Sequence, residues 1–91
     1  MPDARLEKLR YRAWRRGFAE ADLLLGGFAD AHLATMTTSD LDAFERLLDQ
    51  PDPDLWDWIV GGIRAPAAVE GALLDRLRAF KAEELAASLR R

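Results

Sequence analysis

The sequence predicts an all-α fold, a small bundle of about five helices, and three observations carry that prediction. Apolar residues recur at spacings of three and four along most of the chain. No stretch alternates apolar and polar side chains with the period of two that a half-buried strand requires. Glycine and proline gather at Gly17, Pro51-Asp52-Pro53, Gly61-Gly62 and Pro66, which cuts the periodic pattern into helix-length pieces. At 91 residues the chain reads as a single domain spanning 1–91, with a modest buried share of its surface.

The first helix is expected over about residues 4–15, because Leu6, Leu9 and Ala13 fall in one narrow stripe at 3.6 residues per turn. Arg5, Lys8, Arg12, Arg15 and Arg16 share an adjoining stripe, while Tyr11 and Trp14 lie on another flank. Gly17 supplies the backbone freedom to leave the helix. A second helix follows over about 18–35, with Ala21, Leu24, Leu25, Phe28, His32 and Met36 as its buried stripe. Glu20 and Asp22 sit in its first turn, where carboxylates suit the positive end of the helix dipole. Its other side carries Glu20, Leu23, Gly27 and Asp30. Gly26 and Gly27 should each cost about 1 kcal/mol relative to alanine in mid-helix. Such a cost points to a kink or to close approach of another element.

Thr37 with Asp40 forms a capping-box pattern that opens a third helix to about residue 49, with Leu41, Phe44, Leu47 and Leu48 facing the core. Pro51-Asp52-Pro53-Asp54 ends it, and Asp52 is expected to cap a short fourth helix with Pro53 at its first position. Leu55, Trp56, Trp58, Ile59 and Val60 fill that helix, and Gly61-Gly62 closes it. A last helix follows Pro66, with Val69, Leu73, Leu77 and Phe80 on one stripe and residues 83–91 as its continuation or frayed end.

Charge is segregated along the chain. Residues 1–16 carry a net +4, residues 17–62 a net −9 and residues 63–91 a net +2, for a total of −3. The long acidic stretch argues against a nucleic-acid surface spread over the domain. Absent cysteine excludes disulfides and thiolate metal sites, and a single histidine excludes a zinc site built from several imidazoles. Apolar runs fall far short of the roughly 20 residues a membrane helix needs. The basic start carries Glu7 and lacks serine, so no signal or transit peptide is read and the expected location is the bacterial cytoplasm.

Catalytic constellations are hard to find. Ser39 and Ser88 have no histidine or lysine at a meaningful spacing. Gly26-Gly27 lacks the strand–glycine–helix context that cradles phosphate, and His32 falls on a buried stripe, where a core or boundary role outweighs a catalytic one. No metal site and no tightly bound cofactor are expected. Trp58 reads as core. Trp14 and Trp56 cannot easily share that core and stand level between anchoring a partner and covering a small bundle. The charged turn at Arg16-Gly17-Phe18-Ala19-Glu20 is also balanced, between purely structural capping and a binding role.

That run is followed by Ala21-Asp22-Leu23-Leu24-Leu25-Gly26, then Phe28-Ala29-Asp30, and further on Pro51-Asp52-Pro53-Asp54-Leu55-Trp56-Asp57-Trp58-Ile59. The ordered set, over about residues 5–62, resembles the small FAD assembly factors of succinate dehydrogenase, the SdhE-type family also known from mitochondria. The resemblance implies a five-helix bundle that binds the flavoprotein subunit of succinate dehydrogenase or fumarate reductase. It also implies that the bundle promotes covalent attachment of FAD to a histidine of that client, without being an enzyme. The family's Arg-Gly-x-x-Glu motif falls on Arg16, Gly17 and Glu20, the following acid on Asp22, and the Phe-x-x-acid feature near Phe28 and Asp30. Asp54, Leu55 and Trp58 match an element read as mainly structural. Where the family's motif commonly continues with Met or Thr and Leu, this chain has Phe18 and Ala19.

On this basis the partner-binding residues are expected to be Arg16, Gly17, Glu20, Asp22, Leu23, Gly27 and Asp30. Arg16 would pair with client carboxylates, and Glu20 and Asp22 with client arginines or a histidine. Gly17→Arg is expected to spare the fold. The free chain is expected to be a monomer that neither enters membranes nor binds nucleic acid. A second reading, from a different class, is an antitoxin-like or adaptor protein that sequesters an unrelated protein.

Overall fold

The computed structural model describes residues 4–17 and 19–89, and the side chains among them up to residue 83. Five α-helices account for most of these residues: α1 (Ala4–Ala13), α2 (Ala19–His32), α3 (Thr38–Leu48), α4 (Asp52–Ile59) and α5 (Ala72–Leu89). A 3-10 turn, Leu33–Thr35, extends α2. The expected helix start at Phe18 lies outside the described residues, as does the chain end at Arg90 and Arg91.

α1 lies between α2 and α3, and α5 closes the bundle against α2, α3 and α4. Phe28, Phe44, Leu25, Leu33, Leu47, Leu74 and Leu77 are fully buried at the centre. Phe28 organises this core: it meets Phe44 at a ring-centroid distance of 5.9 Å and Phe80 edge-on at 5.6 Å, the tilted geometries that aromatic quadrupoles favour. His32 completes a triangle with them, tilted against Phe28 at 4.8 Å and edge-on to Phe80 at 6.0 Å, a boundary position at the end of α2. Ala29, Leu33 and Leu74 join the stripes predicted for α2 and α5.

Helix boundaries follow the local chemistry closely, with three differences. α1 stops at Ala13 and Trp14 enters the turn. The Thr37–Asp40 capping box forms with both reciprocal hydrogen bonds, but Asp52 does not cap α4. Pro51 occupies that position with no side-chain cap, because Asp52 is drawn to an arginine from the first turn. The last helix starts only at Ala72, so Val69 packs from a turn whose amides at 69 and 70 donate to the Pro66 carbonyl.

The linker before α5 is held by one carboxylate. Glu70 accepts the Ala65 amide at 2.8 Å and the Arg78 guanidinium through both oxygens, and Arg78 also donates to the Trp58 carbonyl at 2.8 Å. The hydrogen bonds from Arg78, then that from Ala65, hold the Glu70 carboxyl below the usual glutamate range. A lowered folded value means stability that is present above the ordinary glutamate value of about 4.3 and lost as pH falls through the folded value. Glu70→Gln should therefore lower the urea midpoint at neutral pH and flatten its decline in acid, which denaturation across that range will read.

The charge segregation of the sequence is resolved inside the fold. Arg5 pairs with Asp42 and with Glu45 at 3.0 Å, Arg12 with Asp49, and Arg16 with Asp52 at 2.8 Å. The partners advance together along both helices, so α1 runs parallel to α3 and sets its basic stripe against the acidic one. Arg10 faces the other way and reaches Asp30 of α2 at 3.1 Å. The outer pairs are largely exposed and contribute about 0–1 kcal/mol each. Their geometry fixes which face of α1 turns to α3.

Candidate docking surface at the first interhelical turn

Arg16 is the organising residue of the turn between α1 and α2, and its side chain is only 11% exposed. Its Nε donates to Asp52 Oδ1 at 2.8 Å, one terminal nitrogen donates to the Leu48 carbonyl, and the other to the Gln50 carbonyl at 2.7 Å. The fork thus caps the end of α3 and grips the start of α4, a use of planar guanidinium geometry that lysine cannot copy. Its backbone amide donates to Asp22 Oδ1 at 2.6 Å, which closes the turn onto α2. Within the chain, then, the Arg16 guanidinium is engaged by Asp52, Leu48 and Gln50, and an Asp22 oxygen is occupied by the turn itself.

Gly17 has φ +107°, and a Cβ there would find open space. The glycine is required by the backbone and not by crowding inside the chain. Any L-residue there is strained by about 1–2 kcal/mol, so Gly17→Arg should lower stability by that order and leave the bundle folded. Glu20 is exposed and, among the described residues, makes no hydrogen bond or ion pair. Leu23, one turn on, is 64% exposed. Asp30 is exposed but tied to Arg10. Gly27 departs from the expected outer face: it is half-buried, with a Cβ position 3.6 Å from the Phe80 ring. The part of the predicted set that is both accessible and, among the described residues, unengaged by other side chains is therefore Gly17, Glu20 and Leu23, with Arg16 and Asp22 holding the turn beneath them.

Trp14 and Gly26 explain the costly glycine in α2. A Cβ on Gly26 would lie 2.1 to 2.6 Å from Trp14 ring atoms, so the indole rests directly on the α2 backbone. Close approach, not a kink, is the reason for Gly26, since α2 runs unbroken through it. Sequence reasoning missed Asp52 as the Arg16 partner. The signal was present in the near-constant separation of 36 or 37 residues between arginines 5, 12 and 16 and acids 42, 49 and 52. Tyr11, 60% exposed with the Arg15 guanidinium 4.3 Å from its ring centroid, adds an aromatic–cation pair beside the turn.

A family model described as flavinator of succinate dehydrogenase matches residues 7–81. The chain belongs to that family. Among its relatives, the FAD assembly factor SdhE of Acetobacter pasteurianus is 40% identical over 74 residues, covering 81% of this chain and 68% of that protein. The SdhE of Coxiella burnetii is 40% identical over 57 residues, 63% of this chain and 68% of its own. A mitochondrial relative, succinate dehydrogenase assembly factor 2 of Dictyostelium discoideum, is 41% identical over 68 residues, 75% of this chain but 48% of that protein. The chain thus spans about two thirds of these bacterial relatives and about half of the mitochondrial one. These relatives carry the names of assembly factors and not of enzymes. The family match contains the whole turn, α2 and the α3–α4 junction that Arg16 binds. Among the described residues no helix is long and apolar enough to cross a membrane.

Proposed function

We propose that this chain is an assembly factor that binds the flavoprotein subunit of succinate dehydrogenase, and of fumarate reductase where present, and promotes covalent attachment of FAD there. The observation that carries the reading is the family match together with the form of this site: Glu20, which makes no hydrogen bond or ion pair among the described residues, and an exposed Leu23, both in the first two turns of α2 behind a turn that Arg16 holds. A fixed, uncompensated carboxylate beside an apolar contact is a surface prepared for a basic partner.

Such a surface can act without catalytic groups of its own. Joining the flavin to a histidine would proceed within the client, the flavin supplying its own electron sink, so this chain need hold no nucleophile. The helper stabilises the client conformation that holds flavin and histidine together, by binding that conformation better than others. FAD itself is not expected to be held tightly by this chain. Gly26-Gly27 lies inside a continuous helix, with Gly26 covered by Trp14, so it offers no loop of free amides to a pyrophosphate. The reading is favoured by the family match over the antitoxin-like or adaptor alternative, and it carries the bacterial cytoplasm as the place of action.

Glu20→Ala tests it. Truncating one side of a desolvated interface charge typically costs about 2–5 kcal/mol, so cells with only this variant should show strongly reduced in-gel flavin fluorescence of the client. The variant itself should stay folded, losing only the helix-dipole contribution of about 0.3–1 kcal/mol, because Glu20 makes no hydrogen bond or ion pair among the described residues. Unchanged covalent FAD would overturn the assignment.

A further inference from the structure

Of the ten carboxylates between residues 17 and 62, seven are engaged within the chain: Asp22 by the turn and Asp30, Asp40, Asp42, Glu45, Asp49 and Asp52 by arginines. Glu20, Asp54 and Asp57 make no such contact among the described residues. Of these, Asp57 lines an open groove of about 560 Å³ together with Asp52, Pro53 and Trp56. One wall of this groove is Asp52, the residue that receives Arg16, so the groove is joined through a single ion pair to the turn that presents Glu20.

Resting on the function proposed above, we propose that this α4 groove is a second contact for the client flavoprotein and receives a basic side chain of it. The aliphatic stem of a lysine or arginine would pack on Pro53 and the face of Trp56, and its charge would meet Asp57 at the rim. Three observations select this occupant. The rim charge is negative, and the Asp57 carboxylate makes no hydrogen bond or ion pair among the described residues. The Trp56 ring already has a cation near it, Lys81 Nζ at 5.9 Å from the ring centroid, which shows that the ring is placed for cation–π contact. Asp52 in the groove wall is also the acceptor of Arg16, so the groove and the turn before α2 are held to each other by that ion pair. An apolar segment would leave Asp57 desolvated and unpaired, which disfavours it.

Titration of the full chain against the purified, noncovalently FAD-loaded flavoprotein subunit tests the proposal, with wild type, Asp57→Lys, Asp57→Glu and Glu20→Lys compared. Asp57 is exposed in the last turn of α4, where a cation suits the helix dipole, so Asp57→Lys should keep the wild-type thermal midpoint. It should weaken client binding about tenfold and reduce the salt dependence of affinity, while Asp57→Glu retains both. Wild-type affinity and salt dependence in Asp57→Lys, with Glu20→Lys impaired, would overturn the groove proposal and leave the turn as the docking surface. Wild-type affinity in both lysine variants would overturn the turn as well.

Discussion

Arg16→Ala is expected to lower the unfolding free energy by about 3 kcal/mol, at the low end for breaking a buried pair because Asp52 keeps some access to water. The loss has two parts. Asp52 is left without its counter-charge, and the carbonyls of Leu48 and Gln50 lose donors at a helix end where backbone oxygens have no partner of their own. For a domain of this size, stability of the order of 5–15 kcal/mol makes that a substantial fraction, and the thermal midpoint should fall by about 10 °C or more. Urea denaturation of Arg16→Ala beside Arg12→Ala gives the contrast: Arg12 pairs with Asp49 at the surface, and its removal should cost no more than about 1 kcal/mol. Arg16→Lys should recover only part of the loss, since one ammonium cannot serve three acceptors from the same direction. Equal effects of Arg16→Ala and Arg12→Ala would contradict the organising role given to Arg16.

The second large effect belongs to Gly26. In an ordinary helix interior Gly→Ala stabilises by about 1 kcal/mol, but here the new methyl would occupy the space of the Trp14 indole. Expelling the ring costs about 1–3 kcal/mol, so Gly26→Ala should be destabilising overall and should shift tryptophan emission. The sign is the test. In a Trp14→Ala background the obstruction is gone, and the same substitution should become stabilising by up to about 1 kcal/mol. If Gly26→Ala has the same sign in both backgrounds, the packing of Trp14 on α2 is not what demands glycine.

Much of the architecture was legible because it is set locally. The capping box at Thr37 and Asp40, the prolines at 51 and 53 and the stripe of Leu41, Phe44, Leu47 and Leu48 each depend on residues within a few positions of one another. The charged turn was legible as a place of interest for the same reason. What each charge does was not, since the Arg16 partner is fixed by the parallel alignment of α1 with α3, a tertiary relation no local spacing contains. Asp52 shows the conflict directly: as a local residue it is a good cap, and in the fold the largely buried Arg16 guanidinium takes its carboxylate in place of the free amides of α4. Gly27 was placed on the outer face by the helical wheel, but the wheel cannot know that α5 brings Phe80 against that side. Gly26 was flagged correctly by its cost, and only the structure supplied the indole that explains it.

The long separation between Arg16 and its acceptors has a consequence for how the molecule is made. The turn leaves the ribosome early, yet Leu48, Gln50 and Asp52, which immobilise it, are synthesised more than thirty residues later. Closing that distance costs chain entropy that grows only slowly with length, so the delay is set by translation and not by the search. Until α4 has begun, a nascent chain can wind α1 and α2 but cannot hold Glu20 in its final setting. The candidate docking surface becomes competent only once the chain through Asp52 has emerged, so a nascent helper that stops short of α4 presents no fixed surface to its client.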